Sequence, residues 1–401
     1  MKNYKVAESH ILFYISFGIF LTMTLLRNTF FYQYFMGITY KAGLGVCVIL
    51  LLINELIFGR MTKRGYISIL VSAVLCGLFF VIPVTQYKVM AATVLYIIAA
   101  RRIPFERIAR FAAILSSVFL VLVVLSSYVG IIENYTGYRD DGSVRHYIGF
   151  LYSLYPATII TNITLLVIYW RKEKILWREL VILLLANYWI FHETGSRLSF
   201  VISLIALAFS ALLKLKPDFF VRKRNLTFIL ALCFIICALI SVVITLRYNE
   251  NIDWHWQANK ILSYRLGLQQ EALQNYGVSI LGQDIGANGN GLDPFGENPT
   301  LLTERYFYVD NEYIRWMTSY GIIFFVLIIG LLTWFCIKCR KYDEKGYLLI
   351  IFVLLAVQCT IQDSFLYFYF NTFLLAIGSV LISNRSERKV AYRSPGIGLS
   401  S

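Results

Sequence analysis

Charge is what this 401-residue chain lacks most. Only 15% of it is Asp, Glu, Lys or Arg, against about a quarter in soluble domains. The longest polar stretch is about 60 residues, so no soluble domain is evident. Histidine is scarce, at 4 residues, and the four share no metal-ligand spacing, so no zinc site follows. The 7 cysteines (Cys47, Cys76, Cys233, Cys237, Cys336, Cys339 and Cys359) all fall in or beside apolar runs. That placement implies no disulfide framework. Cys336-x-x-Cys339 has no second pair and reads as the end of a helix. No internal repeat of the kind found in many secondary transporters is visible. The apolar run after Lys2 and Lys5 lacks a small-residue cleavage site, so it is expected to remain as a first span.

What fills the chain instead is apolar and aromatic, at 58% and 16%. Runs near the ~20-residue length that spans a bilayer recur along it. Between charged clusters they predict about twelve helices, near 10–26, 42–58, 66–82, 88–100, 111–131, 149–170, 176–191, 198–213, 226–246, 313–335, 347–361 and 365–383. Basic clusters such as GRMTKR, RRIPFERIAR, KLKPDFFVRKR and KCRKYDEK then share one face. By this count about 26 of the 37 Lys and Arg lie inside and about 11 outside. The net charge of +14 is thus a topology signal, and nucleic acid is not an expected partner. The expectation is an all-α, multi-pass membrane protein, one integral domain over 1–401, with both termini cytoplasmic. A large outer loop covers 247–312, between the ninth and tenth spans. Within it, NKILSYRLGLQQEALQNYG has apolar residues at near-helical spacing and predicts an amphipathic helix on the membrane surface.

Positive charge should be rare on the outer face, so each basic residue there needs a reason. Arg27, Lys41 and Lys88 end spans and can snorkel to head groups. Arg197 sits in HETGSRLSF, on the hinge between two apolar helices, where a bare turn would do. It can pair with Glu193 or meet an anion together with Ser196, and an ionisable group at a span edge favours the second reading. Arg315 begins a helix in DNEYIRWMTSYG. Arg265 is either a solvated face of the amphipathic helix or a ligand contact. Asp140 and Asp141 can neutralise Arg139 and Arg145, and Glu304 or Asp310 can pair with Arg305. Guanidinium suits phosphate because its planar fork donates two parallel hydrogen bonds and keeps its charge. His146, His192 and His255 are predicted outside, where an imidazole can act as acid, base or donor. Trp254, Trp256, Tyr313 and neighbouring rings can stack on sugars or form an interfacial belt.

Four stretches together resemble a family: RHYIGFLYSLYPATI (145–159), TGSRLSFVISLI (194–205), LSYRLGLQQEALQNYGVSILGQDIG (262–286) and VDNEYIRWMTSYGIIFFVLII (309–329). They are similar in order and spacing to segments of the bacterial oligosaccharide repeat-unit polymerases (Wzy-type, for O-antigen, capsule and exopolysaccharide) and the related O-antigen ligases. The resemblance covers most of 130–335 and implies a GT-C-like fold in the bacterial cytoplasmic membrane. It implies glycosyl transfer from an undecaprenyl-diphosphate-linked oligosaccharide, without metal, cofactor or nucleotide sugar. A chain-length regulator and a flippase of the same pathway are the implied partners. Arg145, Arg197 and Arg265 match the family's arginines. No histidine matches the ligases' outer-loop catalytic histidine, His255 being nearest, which favours polymerase over ligase. The base stays open among Glu193, His255, Glu304 and Asp310, and a flippase for the same lipid-linked substrate remains an alternative.

Overall fold

Most of the chain is helical. The structure, a computed structural model, describes residues 2–58, scattered positions between 66 and 77, and 88–138, 142–221, 223–297 and 306–382. Most of the expected span 66–82, Cys76, Arg139, Glu304 and Arg305 lie outside the described residues. The helices are α1 (Lys2–Leu26), α2 (Ile38–Phe58), α3 (Lys88–Ala100), α4 (Phe105–Tyr128), α5 (Leu154–Arg171), α6 (Trp177–Thr194) and α7 (Arg197–Leu215). They continue with α8 (Arg224–Ala231), α9 (Cys233–Arg247), α10 (Asp253–Ile261), α11 (Arg265–Tyr276), α12 (Glu312–Arg315), α13 (Ile322–Tyr342) and α14 (Tyr347–Gln358). A hairpin of β1 (Thr136–Tyr138) and β2 (Val144–His146) pairs Gly137 with Arg145.

Helices α2, α4, α7 and α13 are long and apolar enough to cross a membrane, and α8 with α9, bent by 49°, make a fifth if the pair is one span. Helix α4 carries the physical signature. Ala109, Ala112, Ala113 and Ser116 are buried, while Ile114, Val118, Val121, Leu122 and Leu125 lie open on the other side. An apolar face turned outward over that length suits hydrocarbon rather than water. The spans expected over 10–26, 88–100 and 347–361 contain shorter apolar helices, and those over 149–170 and 176–191 are the 18-residue helices α5 and α6. At the centre stands α5, with Thr161, Asn162 and Thr164 buried among its apolar residues. Each is bonded to another element: Thr161 donates to Ser199 O of α7, Asn162 to Thr372 Oγ1, and Asn187 of α6 donates to Thr164. Such bonds hold helices together where water cannot compete.

Three expected helices are interrupted. The span expected over 313–335 begins as α12, passes through a π-helical turn (Trp316–Tyr320), breaks at Gly321 and resumes as α13. The break has a steric cause. Gly321 is left-handed (φ 91°), and a Cβ there would lie 2.5 Å from Gly282 N, so only glycine fits. The span expected over 365–383 is turns as far as Asn371, then a 3₁₀ turn (Thr372–Leu375) and a π turn (Gly378–Ile382). The surface helix of 259–277 is two helices, α10 and α11, parted by Ser263 and Tyr264 at φ 56° and 61°. Asn259 holds this break. Its Oδ1 accepts from Leu266 N and Gly267 N, satisfying the exposed start of α11. Rather than lying on a surface, α11 packs against α9 with Leu266, Gln269 and Ala272 buried.

Contacts sort the connections into two ends of the bundle. Lys172 meets Glu106, Lys345 meets Glu173, and Arg340 donates to Arg224 O, so the basic segments gather at one end. At the other end Phe30 N donates to Gly149 O, Leu292 N to Leu151 O and Ser196 Oγ to Ser153 O.

Candidate functional site

The polar chemistry of the second end converges where α11, the stretch before α12 and the turn after α14 meet. Asn311 caps α12 by accepting from Tyr313 N and Ile314 N, and Asp310 and Glu312 flank that cap. Arg265, first residue of α11, sets Nε 2.8 Å from Asp310 Oδ2 in an ion pair and donates from Nη1 to Ile361 O at 2.8 Å. Arg315 lies 4% exposed and donates from Nη1 to Tyr308 Oη at 2.7 Å and to Asp363 Oδ2. Tyr308 in turn donates to the same Asp363 oxygen at 2.5 Å. Glu312 accepts from Phe365 N at 2.8 Å through Oε1. Two arginines and three carboxyl groups therefore lie close together between interrupted helices, Asp310 within electrostatic reach of Arg265, Asp363 and Arg315, and Glu312 of Asp363 and Arg315.

Burial dominates the electrostatics of the acids. It pushes the Asp310 carboxyl up to about 6; Arg265 opposes that rise and Asp363 adds to it. Burial pushes Glu312 up to about 8, reinforced by Asp363 and opposed by Arg315. Tyr306 is raised by burial first and by Asp310 second, which places its phenol beside the Arg265–Asp310 pair. A carboxyl held near neutrality by an apolar setting can exchange a proton at physiological pH, the usual requirement of a general base.

Sequence reading and geometry agree on some residues and part on others. Arg265, Asp310 and Arg315 come together. Tyr313 lies against the cluster in sequence but is fully buried, with its hydroxyl donating to Ala356 O; it packs the core and offers no face to a sugar. Arg197 starts α7 with its side chain exposed. Ser196, buried, accepts from Thr194 and donates to Ser153 O. Arg145 is half-buried on β2, which packs against α6, and its Nε has no partner among the described residues. No bond or ion pair among the described residues joins Arg145 or Arg197 to the Arg265–Asp310 pair. Glu193 accepts from the exposed Tyr128 and lies 3.4 Å from His192, away from the arginine pairs. His255 is tied by Nδ1 to the backbone of Asn249 and stacks on Tyr248. Trp254 and Trp256 stand exposed on α10. Among the candidate bases that the structure describes, only Asp310 lies in the cluster.

Asp363 and Glu312 were not expected. A signal for Asp363 was present: it is the single charged residue between Tyr347 and Ser383, and a lone acid in an apolar stretch marks a functional site by default. Glu312 offered none, since DNE reads as a helix start.

No protein-family model, curated protein or solved structure matches the chain. Function therefore rests on the residues themselves. Among those described, no group of three or more His, Cys, Asp and Glu is placed to hold a metal ion.

Proposed function

We propose that the chain is a polymerase of undecaprenyl-diphosphate-linked oligosaccharide repeat units. It would be a twelve-span, GT-C-like protein of the bacterial cytoplasmic membrane, with the arginine cluster on the outer side. The observation that carries this reading is the pairing of Arg265 with Asp310 and of Arg315 with Asp363 at the end of the bundle opposite the basic segments.

The reaction joins a sugar hydroxyl of one lipid-linked unit to C1 of the glycan on another, and diphosphate leaves with the bonding electron pair. Its growing charge must be met. Arg265 turns from Asp310 towards the diphosphate, and Arg315 holds the opposite side; donors fixed in a water-poor site stabilise such charge strongly. By analogy with phosphoryl transfer, one placed arginine is worth on the order of 10³–10⁵ in rate. Asp310, having lost its cation, gains proton affinity at the moment the attacking hydroxyl must lose its proton. Direct attack inverts the anomeric centre. Arg145, Arg197 and Ser196 keep their place as carrier contacts on the resemblance alone; Arg139 and Arg305 stand only as basic residues of the expected outer face.

A lipid-linked-oligosaccharide transporter is the second reading. It is favoured by the interrupted helix α12–α13 and the unwound stretch after α14, since broken helices around buried charges also build transport sites. The test is reconstitution of the purified protein with an undecaprenyl-diphosphate repeat unit, read on a gel. A ladder of lengths, lost in Arg265→Ala, supports the polymerase. Labelled substrate that crosses the bilayer without lengthening supports the transporter instead. Transfer to an acceptor other than a second undecaprenyl-diphosphate-linked unit would mean a ligase.

A further inference from the structure

Tyrosines fall into two populations at this end of the protein. Tyr34, Tyr128, Tyr138 and Tyr188 are each more than half exposed. Tyr34, Tyr128 and Tyr188 meet Phe31, Trp189 and Phe200, and none of the four meets another tyrosine among the described residues, as suits interfacial rings. Others touch in an unbroken chain of rings. Tyr135 meets Tyr147 with centroids 5.0 Å apart, Tyr147 meets Tyr152 at 6.4 Å, and Tyr152 meets Tyr155 at 5.6 Å. Tyr155 stacks on Phe370 at 5.3 Å, and Phe370 meets Tyr369 at 4.7 Å. The chain joins the β-hairpin, the start of α5 and the turns before Asn371, three parts of the fold with nothing in common in sequence.

This row runs beside the charged cluster. Tyr152 shares the electrostatic surroundings of Asp310, Tyr306 and Arg265, and Tyr155 those of Asp363. Tyr152 and Tyr155 are half-buried, and no hydrogen bond within the described residues occupies their hydroxyls. A purely packed core would use phenylalanine, since a buried phenol needs a partner. A lipid-facing belt would turn the rings outward rather than towards aspartates. Flat rings bearing open hydroxyls suit a ligand with apolar C–H faces and many hydroxyl groups.

We infer that Tyr152 and Tyr155, with the rings continuous with them, form a binding track for the sugar chain that hangs from the diphosphate. The ligand class is a neutral or weakly charged oligosaccharide, stacked on the rings and hydrogen-bonded to the phenols. The inference rests on the polymerase reading for what the track serves, and it replaces Trp254, Trp256 and Tyr313 as the sugar contacts.

The test uses purified protein in lipid nanodiscs and two soluble probes. One is the repeat-unit oligosaccharide released by mild acid from the producing organism's surface polysaccharide, free of lipid and phosphate. The other is inorganic pyrophosphate. Tyr155→Leu and Tyr152→Leu are expected to weaken oligosaccharide binding by about three- to tenfold each. Phe at either position should restore the stacking part, and pyrophosphate binding should be unchanged in all four variants. Arg265→Ala should do the reverse. Oligosaccharide affinity indifferent to both Leu variants overturns the track. So does a parallel loss of both probes, which would mean a merely structural role, or an absence of oligosaccharide binding by the wild type. A wild type that binds the sugar but builds no ladder would sink the polymerase and leave the track standing. A ladder with sugar binding indifferent to the tyrosines would do the opposite.

Discussion

Two buried arginine–carboxylate pairs mark opposite ends of this protein, and they are built differently. At the basic end, Arg101 is 3% exposed and grips Glu55 with both nitrogens, Nη1 to Oε1 at 3.0 Å and Nη2 to Oε2 at 2.8 Å. Nη1 also donates to Ile98 O, and Arg102 adds a second cation 3.5 Å from the same carboxylate. Both oxygens of Glu55 are engaged there, and the pair clamps α2 to the turn after α3. At the other end Arg265 spends Nε on a single oxygen of Asp310 and Nη1 on a backbone carbonyl. The partner acid is shifted towards neutrality by burial. A closed fork fixes structure, whereas a single-point pair beside a second pair can be exchanged for a ligand.

That contrast can be broken most sharply at its two arginines. Arg265→Ala and Arg315→Ala should each lower ladder formation by on the order of 10³-fold or more at unchanged protein level; a loss under tenfold would remove the charge-stabilising role. Glu55→Ala should act on the other axis. Leaving Arg101 buried and unpaired destabilises by about 3–5 kcal/mol, seen as a lower unfolding midpoint of the purified protein in detergent, with activity per folded molecule retained. Equal effects of the two changes on folding would erase the distinction.

A smaller effect tests the acid. If Asp310 is the base, the rate should rise with pH as its carboxyl ionises, and fall about tenfold per unit below about pH 6. Asp310→Asn should remove that limb together with most of the activity. The linked stability has the opposite sense. A carboxyl whose folded value stands above its ordinary 3.8 binds protons more tightly in the folded state, so its burial penalty is relieved as pH falls from about 6 towards 3.8. The smallest effect belongs to His255→Ala. An imidazole bonded to its own loop should change the rate by less than about twofold, and a larger loss would restore it as a candidate base.

The apolar scaffold was readable because its signal is local: runs between charged clusters, with basic residues to one side. Interruptions were not readable by that means. Gly321 sits inside SYGIIFFVLII, where hydropathy sees a continuous helix, and only the approach of Gly282 from a distant loop breaks it. For the same reason 365–383 read as a span, although Phe365 N and Asn371 are engaged with Glu312 and the turn carbonyls. Within the site, Arg265, Arg315 and Asp310 could be read from their type and expected side. Asp363 stood out in the sequence as a lone acid, but its partners needed the fold, because it reaches them through the unwound turn after α14. The tyrosine row was invisible for a simpler reason. Its members are spread over Tyr135 to Tyr369, and no spacing rule links a hairpin to a distant turn.

The crossing of Gly282 and Gly321 reaches beyond the shape of one helix. A Cβ on Gly282 would meet Ser319 O at 2.6 Å, Gln283 N donates to Ser319 O, and Ile322 N donates to Ser279 O. The position of Arg315 is therefore written in two places along the chain. Among descendants of this sequence the two glycines should behave as one inherited character, kept as a pair or lost as a pair. An engineer lengthening the loop would do well to insert past Gly286, leaving that knot untouched.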